Sequence, residues 1–181
     1  DAEALMRSRY SAYVLGLREY LLARYENGER LLGICFGHQL LASILGGKTE
    51  RAAQGWGIGV NRYQLLEQPE WMSPKLDSLE LLVFHQDQVV ELPANATLLA
   101  SSAFCPNAAY RIGDQVLCFQ AHPEFVEDYE LALLELRRES LGEALHSEAL
   151  QSMSMQQQGV IVAEWMLRFV TQNKARRRLA A

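Results

Sequence analysis

The chain has 181 residues, of which 49% are hydrophobic and 22% charged, and a formal net charge of −5. These values are typical of one globular domain, with or without a helical appendage, and the negative charge argues against a nucleic-acid surface. No apolar run approaches the ~20 residues of a membrane span. Three cysteines, an odd number without metal-ligand spacing, favour a reducing compartment over a disulfide framework. We therefore expect a cytoplasmic protein without membrane contact, metal or cofactor.

The first quarter of the chain predicts a helix, a strand, a sharp turn and a second helix. An amphipathic pattern favours a helix over residues 7–25, and the apolar pair Leu31 and Leu32 leads into G-I-C-F-G. Four apolar residues then recur at helical spacing, namely Leu40, Leu41, Ile44 and Leu45. This order is typical of the nucleophile elbow G-x-S-x-G, with cysteine in place of serine.

Cysteine at this turn is a candidate nucleophile. A thiol attacks as thiolate, and we expect the free N–H groups and dipole of the helix N-terminus to lower the pKa of Cys35 below about 8.5. Gly33 and Gly37 flank the turn, where a side chain is expected to collide with the neighbouring strand or helix, and Gly46 and Gly47 are expected to cap the helix. The alternative is that Cys35 is a small buried hydrophobic residue, which the glycines and the strand–turn–helix order outweigh.

The middle of the chain predicts short strands separated by turns. These strands are expected over residues 48–53, 57–66, 81–84, 97–101, 108–112 and 116–120, with a loop over 67–79 and a hairpin joined at Gly113-Asp114.

The last of these strands leads directly to His122-Pro123-Glu124. Pro123 fixes its own φ and favours an extended His122, so the imidazole is expected to project from the end of the strand. Glu124 can turn back to the other ring nitrogen. A base and the residue that orients it are what a cysteine nucleophile needs.

From Val126 onward the pattern is helical. Helices are predicted over residues 127–139 and 156–172, with a break at Gly142 and a polar gap before the second helix. The basic run at the end of the chain admits a nucleic-acid contact or a solvated tail, of which we favour the tail; its members are Lys174, Arg176, Arg177 and Arg178.

The segments G-I-C-F-G-H-Q and Q-A-H-P-E-F resemble the motifs G-x-C-x-G-x-Q and H-P-E of the class I glutamine amidotransferase domain. Residues 51–52, 57–59 and 84–89 also match the family pattern. The chain is similar to the stand-alone branch related to the glutaminase domain of GMP synthetase, over roughly residues 15–125. The resemblance implies a three-layer α/β/α, flavodoxin-like fold with a mostly parallel central sheet and a small antiparallel hairpin region. It also implies a domain over 1–140, with 141–181 as a helical extension packed on it.

The same resemblance implies roles for individual residues. Cys35 is expected to be the nucleophile, His122 the general base and acid, and Glu124 the residue that orients His122. The N–H of Phe36 is expected to form half of the oxyanion hole, and Gln39 to lie beside bound glutamine. His85 is expected to line the pocket rather than to act as a second catalytic histidine.

The start of the chain departs from the family pattern. Family members have about two further strands before the elbow, and a Gly-containing loop that donates the second oxyanion N–H. We expect the chain to be a fragment whose protein carries about 40–60 more residues ahead of Asp1. A pared-down relative is the alternative.

Three functions remain open from the sequence. The favoured one is hydrolysis of the side-chain amide of glutamine through a thioester, with ammonia released to a separate synthase partner or to solvent. The second is a γ-glutamyl hydrolase or peptidase that uses the same triad, and the third is a non-catalytic binding or regulatory module.

Overall fold

Five helices and eight strands follow one another in the computed structural model of the protein, which describes residues 2–179 and the side chains of residues 10–171. In chain order they are α1 (Ala2–Glu26), β1 (Leu31–Ile34), α2 (Phe36–Ile44), β2 (Lys48–Arg51), β3 (Gly57–Leu65), β4 (Ser78–His85), β5 (Asp87–Glu91), β6 (Ala96–Ser101), β7 (Ala109–Ile112), β8 (Val116–Phe119), α3 (Glu127–Leu141), α4 (Glu143–Ser152) and α5 (Gly159–Leu179). No helix within residues 2–179 combines the length and apolar character needed to cross a membrane.

Six strands form one mixed sheet in the order β1-β8-β7-β6-β3-β4, and β2 and β5 form a separate antiparallel pair. In the six-stranded sheet β1 and β8 pair in parallel, and the other neighbouring strands pair antiparallel. The predicted α/β fold is confirmed. Among the described strands of this sheet, only β1 and β8 pair in parallel, so antiparallel pairing extends well beyond the small hairpin region that we expected. The strands β7 and β8 pair antiparallel because the turn between them is too short for the crossover that parallel pairing requires.

Helices cover both faces of the sheet, as the alternation along β8 makes clear. Successive side chains of a strand point to opposite faces. Cys118 packs in one core cluster with Leu41 of α2, whereas Leu117 and Phe119 pack in another with Trp165 of α5. The expected three layers are therefore present.

A third apolar cluster holds α3 and α4 against β3. Its buried members are Ile58, Leu134 and Ala149, one from each element. The hydroxyl of Ser152 also accepts a hydrogen bond from the Val60 N–H, at 2.8 Å. This packing fixes the residues around Gly57 to Val60, which lie beside the candidate site.

Most predicted elements are confirmed. They are the first helix, as far as its backbone shows, the strands β2, β3 and β6, the β7–β8 hairpin, and the helices α3 and α5. Two elements were not predicted. β5 begins with the polar residues Asp87 and Gln88 and pairs with β2 in the separate small sheet. α4 buries His146 and Ala149 of its ten residues, so its apolar periodicity is weak.

The C-terminal helix shares the main core of the sheet, since Val162 and Phe169 pack in the same cluster as Phe119. The division into a domain over 1–140 and an extension over 141–181 stays a prediction. So does the solvated basic tail, because Lys174, Arg176, Arg177 and Arg178 lie outside the described side chains.

Candidate active site

Cys35 lies on a strained turn between β1 and α2. Its φ of 48° and ψ of −101° are rare for a residue other than glycine. Its N–H donates to the Phe119 carbonyl at 2.9 Å, and its own carbonyl accepts from the Gln39 N–H at 3.1 Å, within the first turn of α2. The predicted strand, turn and helix are confirmed.

The glycines around this turn have different surroundings. A Cβ on Gly33 would lie 2.7 Å from the Cys118 sulfur and 2.8 Å from the main chain of Gly37, so the expected collision is confirmed there. A Cβ on Gly37 would have no neighbour within 4 Å, so the expected collision at Gly37 is wrong. Gly46 has a φ of +97°, and the N–H of Gly47 donates to the Ala42 carbonyl at 2.8 Å, which is the cap predicted for α2.

His122 follows β8 and is held at its main chain and at its ring. Its N–H donates to the Leu82 carbonyl at 2.8 Å. Its Nδ1 lies 2.7 Å from Oε1 of Glu124, and Phe125 covers the ring face. The expected link between His122 and Glu124 is therefore present in the geometry, whereas their catalytic roles stay predictions.

The parallel pairing of β1 and β8 explains why these two motifs meet. Cys35 follows the end of β1 and His122 follows the end of β8, and ligands of α/β proteins commonly bind at such carboxyl ends. The side chain of Gln120 joins the two segments, with its Nε2 3.6 Å from the Cys35 sulfur.

Sequence reasoning gave Gln120 no role, although its side chain is fully buried at the site. The available signal was its position two residues before His122. In an extended chain that spacing places both side chains on the same face.

Gln39 uses its amide within the protein. Its Nε2 donates to the main-chain carbonyl of Asp87 at 2.7 Å and to Oε1 of Gln120 at 3.2 Å. The expected contact between Gln39 and bound glutamine stays a prediction.

His85 is buried at the end of β4, where its ring meets the edge of Phe104 at 5.8 Å. Its Nδ1 lies 3.1 Å from the main-chain carbonyl of Asp87. Burial, together with the proximity of His122, lowers the pKa of His85 to about 4. A neutral imidazole at neutral pH agrees with a lining role, which stays a prediction.

The thiol of Cys35 is partly desolvated. Burial raises its pKa to about 11, against a hydrogen bond from the Phe36 N–H and with added repulsion from Glu124 and Asp87. The expected lowering below about 8.5 is therefore wrong for this structure, because desolvation outweighs the helix N-terminus. The Phe36 N–H lies next to the sulfur, and its role as an oxyanion donor stays a prediction.

A cavity of about 380 Å³ lies between β3 and α4. Its lining includes Trp56, Gly57 and Phe104 on one side and Glu148 on the other. Gly57 pairs with His85 across β3 and β4, and Phe104 contacts the His85 ring, so one end of the cavity lies near His85. Within the described side chains, no cluster of three or more His, Cys, Asp or Glu residues is placed to hold a metal ion.

Comparison with known proteins identifies a family whose sequence pattern the chain matches. The sequence profile of the family described as glutamine amidotransferase class-I matches residues 11–135 of the chain.

Similar sequences include γ-glutamyl peptidase 3 of Arabidopsis thaliana, which is 40% identical over 103 residues, covering 54% of this chain and 41% of the relative. A glutamine-hydrolysing GMP synthase subunit of Methanosphaera stadtmanae is 35% identical over 95 residues, covering 52% of this chain and 50% of the relative. The chain thus spans about half the length, or less, of these relatives.

Similar solved structures agree on the fold. A glutamine amidotransferase of Thermotoga maritima has a TM-score of 0.71 and 21% identity, covering 88% of this chain and 70% of that protein. A glutamine amidotransferase of Methylobacillus flagellatus has a TM-score of 0.62 and 26% identity, covering 88% of this chain and 64% of that protein.

Proposed function

Because this chain belongs to the class I glutamine amidotransferase family, we propose that it hydrolyses the amide bond of a γ-glutamyl compound through a thioester on Cys35. The observation that carries the proposal is the arrangement at the ends of β1 and β8. Cys35 stands on a strained turn there, and the His122–Glu124 pair stands at the neighbouring strand end. Nucleophile, base and orienting carboxylate are the components of cysteine-based acyl transfer.

In the proposed reaction the Cys35 sulfur attacks the δ-carbon of the γ-glutamyl amide and forms a tetrahedral oxyanion. The C–N bond then breaks, and His122 gives a proton to the departing nitrogen. Water, deprotonated by His122, attacks the thioester carbon, and the C–S bond breaks. His122 returns the proton to the Cys35 sulfur, and the γ-carboxyl product is released and ionises. Glu124 holds the imidazole through Nδ1 and stabilises its positive charge.

The high pKa of the desolvated Cys35 thiol determines whether attack begins from the thiol or from the thiolate. With a pKa of about 11, Cys35 is mostly protonated at neutral pH. His122 therefore accepts the thiol proton as the sulfur attacks, in the manner of a serine hydrolase.

The oxyanion needs donors at the place where charge develops. The Phe36 N–H at the start of α2 is the proposed donor from this chain, and a single such donor is worth about 10²–10³ in kcat.

Glutamine is the first candidate substrate. Its reaction releases ammonia, either to a separate synthase partner or to solvent. The likeness to glutamine-hydrolysing subunits of GMP synthases supports a synthase partner.

A γ-glutamyl peptide is the second candidate substrate. Four relatives named γ-glutamyl peptidase are 33–40% identical over parts of the chain. The cavity lined by Gly57 and Phe104, which reaches the surroundings of His85, is the space that we assign to a leaving group larger than ammonia.

The test is a rate measurement on protein expressed from its full open reading frame, with glutamine and a γ-glutamyl dipeptide as separate substrates. Ammonia release identifies a glutaminase, and release of the second amino acid identifies a peptidase. Cys35→Ser should abolish either rate. Absence of both rates in the unaltered protein would favour the non-catalytic alternative, and a rate that survives Cys35→Ser would remove Cys35 as nucleophile.

A further inference from the structure

A hydrogen-bonded path leads from a main-chain carbonyl of β5 to the sulfur of Cys35. Gln39 Nε2 donates to the Asp87 carbonyl at 2.7 Å and to Gln120 Oε1 at 3.2 Å. Gln120 Nε2 then lies 3.6 Å from the Cys35 sulfur. The path is formed by residues from α2, β5 and the end of β8, so it depends on the folded site.

The first partner in this path fixes the orientation of both amides. A main-chain carbonyl can only accept a hydrogen bond, so Gln39 must present its NH₂ group to Asp87. The second hydrogen of that NH₂ group points to Gln120, which must therefore present its oxygen. The NH₂ group of Gln120 is then left facing the sulfur of Cys35.

We propose that Gln120 is a further catalytic residue, which donates a hydrogen bond to the Cys35 sulfur as negative charge develops there. Gln39 is the positioning residue that sets the direction of the Gln120 amide. The inference rests on the proposed function only in taking Cys35 as the nucleophile.

The surroundings of the sulfur give this donor a physical purpose. Glu124 and Asp87 place negative charge near Cys35, and burial removes water that would otherwise solvate a thiolate. The Phe36 N–H and the Gln120 amide are the groups that oppose these effects. Because Gln120 is fully buried, its hydrogen bond acts in a medium of low dielectric constant, where it is strong.

The experiment measures the rate of Cys35 alkylation by iodoacetamide against pH, without substrate, in protein from the full open reading frame. Gln120→Met removes the donor at similar volume, and it should slow alkylation at pH 8 about tenfold and move the profile upward by about one pH unit. Gln120→Glu should slow it further, because a carboxylate repels the thiolate. Gln39→Met should slow it less, because the Gln120 amide remains but loses its fixed direction.

Gln115→Met is the matched control. Gln115 lies just before β8 and donates to the Tyr25 carbonyl at 2.9 Å, away from Cys35, so its profile should equal that of the unaltered protein. An unchanged profile in a folded Gln120→Met protein would overturn the inference. If circular dichroism shows that this variant does not fold, Gln39→Met and Gln120→Glu decide, and unchanged profiles in both would overturn it.

The two proposals fail separately. Alkylation needs no γ-glutamyl substrate, so a shifted profile in a protein without turnover would support the Gln120 donor and contradict the proposed function. Full turnover with an unshifted profile would contradict the Gln120 donor alone.

Discussion

Phe125 stacks on the imidazole of His122, with the ring centroids 3.9 Å apart and the planes 13° from parallel. Tyr129 meets Phe125 edge-on, with centroids 4.7 Å apart and planes at 78°. Since α3 begins at Glu127, its first turn supports the ring that covers His122. The imidazole is therefore restrained at one face by the Phe125 ring and at Nδ1 by Glu124.

Removal of the Phe125 ring should loosen the imidazole of His122 without unfolding the protein. Phe125→Ala is expected to lower kcat by about 2- to 10-fold with KM little changed, because an aromatic pair contributes about 0.5–1.5 kcal/mol beyond buried area. Tyr129→Ala is the control, since Tyr129 touches Phe125 and not the imidazole, and its effect should be smaller. An unchanged kcat in a folded Phe125→Ala protein would show that the stack does not position His122.

Substitution of Glu124 should lower kcat more than substitution of Phe125 does. Glu124→Gln keeps the shape but removes the charge that stabilises the imidazolium, so kcat should fall by about 10²–10⁴-fold. Alkylation of Cys35 should remain measurable in this variant, because the thiol itself is intact. Turnover at the unaltered rate would mean that another group orients His122.

The two motifs could be predicted because their signals are local. Turn glycines beside Cys35 and the proline after His122 restrict the backbone over a few residues, and those restrictions persist in the fold. The contact between Gln120 and Cys35 depends instead on the parallel pairing of β1 with β8, across 85 positions of sequence. No local pattern specifies such a pair.

The predicted lowering of the Cys35 pKa was wrong for the same reason, because contacts that are not local in sequence set this pKa. The helix N-terminus is visible in the sequence, whereas burial of the sulfur and the approach of Glu124 and Asp87 arise from tertiary packing. The open space beside Gly37 is likewise a property of the assembled turn and not of the motif.

Labelling should distinguish the three thiols. Burial raises the pKa of Cys105 and Cys118 to about 12, and both are almost fully buried, whereas Cys35 is partly exposed with a pKa of about 11. Cys35 should be the dominant site of iodoacetamide alkylation in the folded protein. Its rate should rise with pH towards about 11, because the thiolate fraction increases below the pKa.

Peptide mass mapping measures this selectivity. Cys35→Ser should leave little labelling, and guanidinium-unfolded protein should label at all three cysteines. Equal labelling of the three sites under native conditions would contradict the placement of Cys35.

The two glycines of the elbow offer a matched pair of substitutions. Gly33→Ala forces a methyl group against the Cys118 sulfur and the Gly37 main chain, and should lower the free energy of unfolding by about 1–3 kcal/mol. Gly37→Ala meets open space within a helix and should raise it by about 0.4–1 kcal/mol, because the unfolded chain loses freedom. Urea denaturation of both variants measures these opposite changes in the free energy of unfolding. A destabilising Gly37→Ala would show that the turn has no room for a methyl group there.

Glu130 should make stability depend on pH. Its carboxylate is buried on α3, Oε1 accepts from the Gly59 N–H at 3.0 Å, and Oε2 has no partner among the described side chains. Burial raises the pKa of Glu130 to about 7, against the lowering effect of the Gly59 hydrogen bond. An unfolded glutamate titrates near pH 4.3, so between about pH 4.3 and 7 the folded state binds more protons than the unfolded state, and stability falls as pH rises through this interval.

Glu130→Gln isolates this effect because the amide oxygen can still accept from Gly59 and the side chain stays neutral. Its free energy of unfolding should exceed that of the unaltered protein by about 1–3 kcal/mol at pH 8 and by little near pH 4.5. Urea denaturation at both pH values gives the two differences. Glu139→Gln is the control, since Glu139 is an exposed residue of the same helix and should show no such change between the two pH values. A Glu130→Gln difference that is equal at pH 4.5 and pH 8 would show that Glu130 is ionised in the folded protein throughout this range.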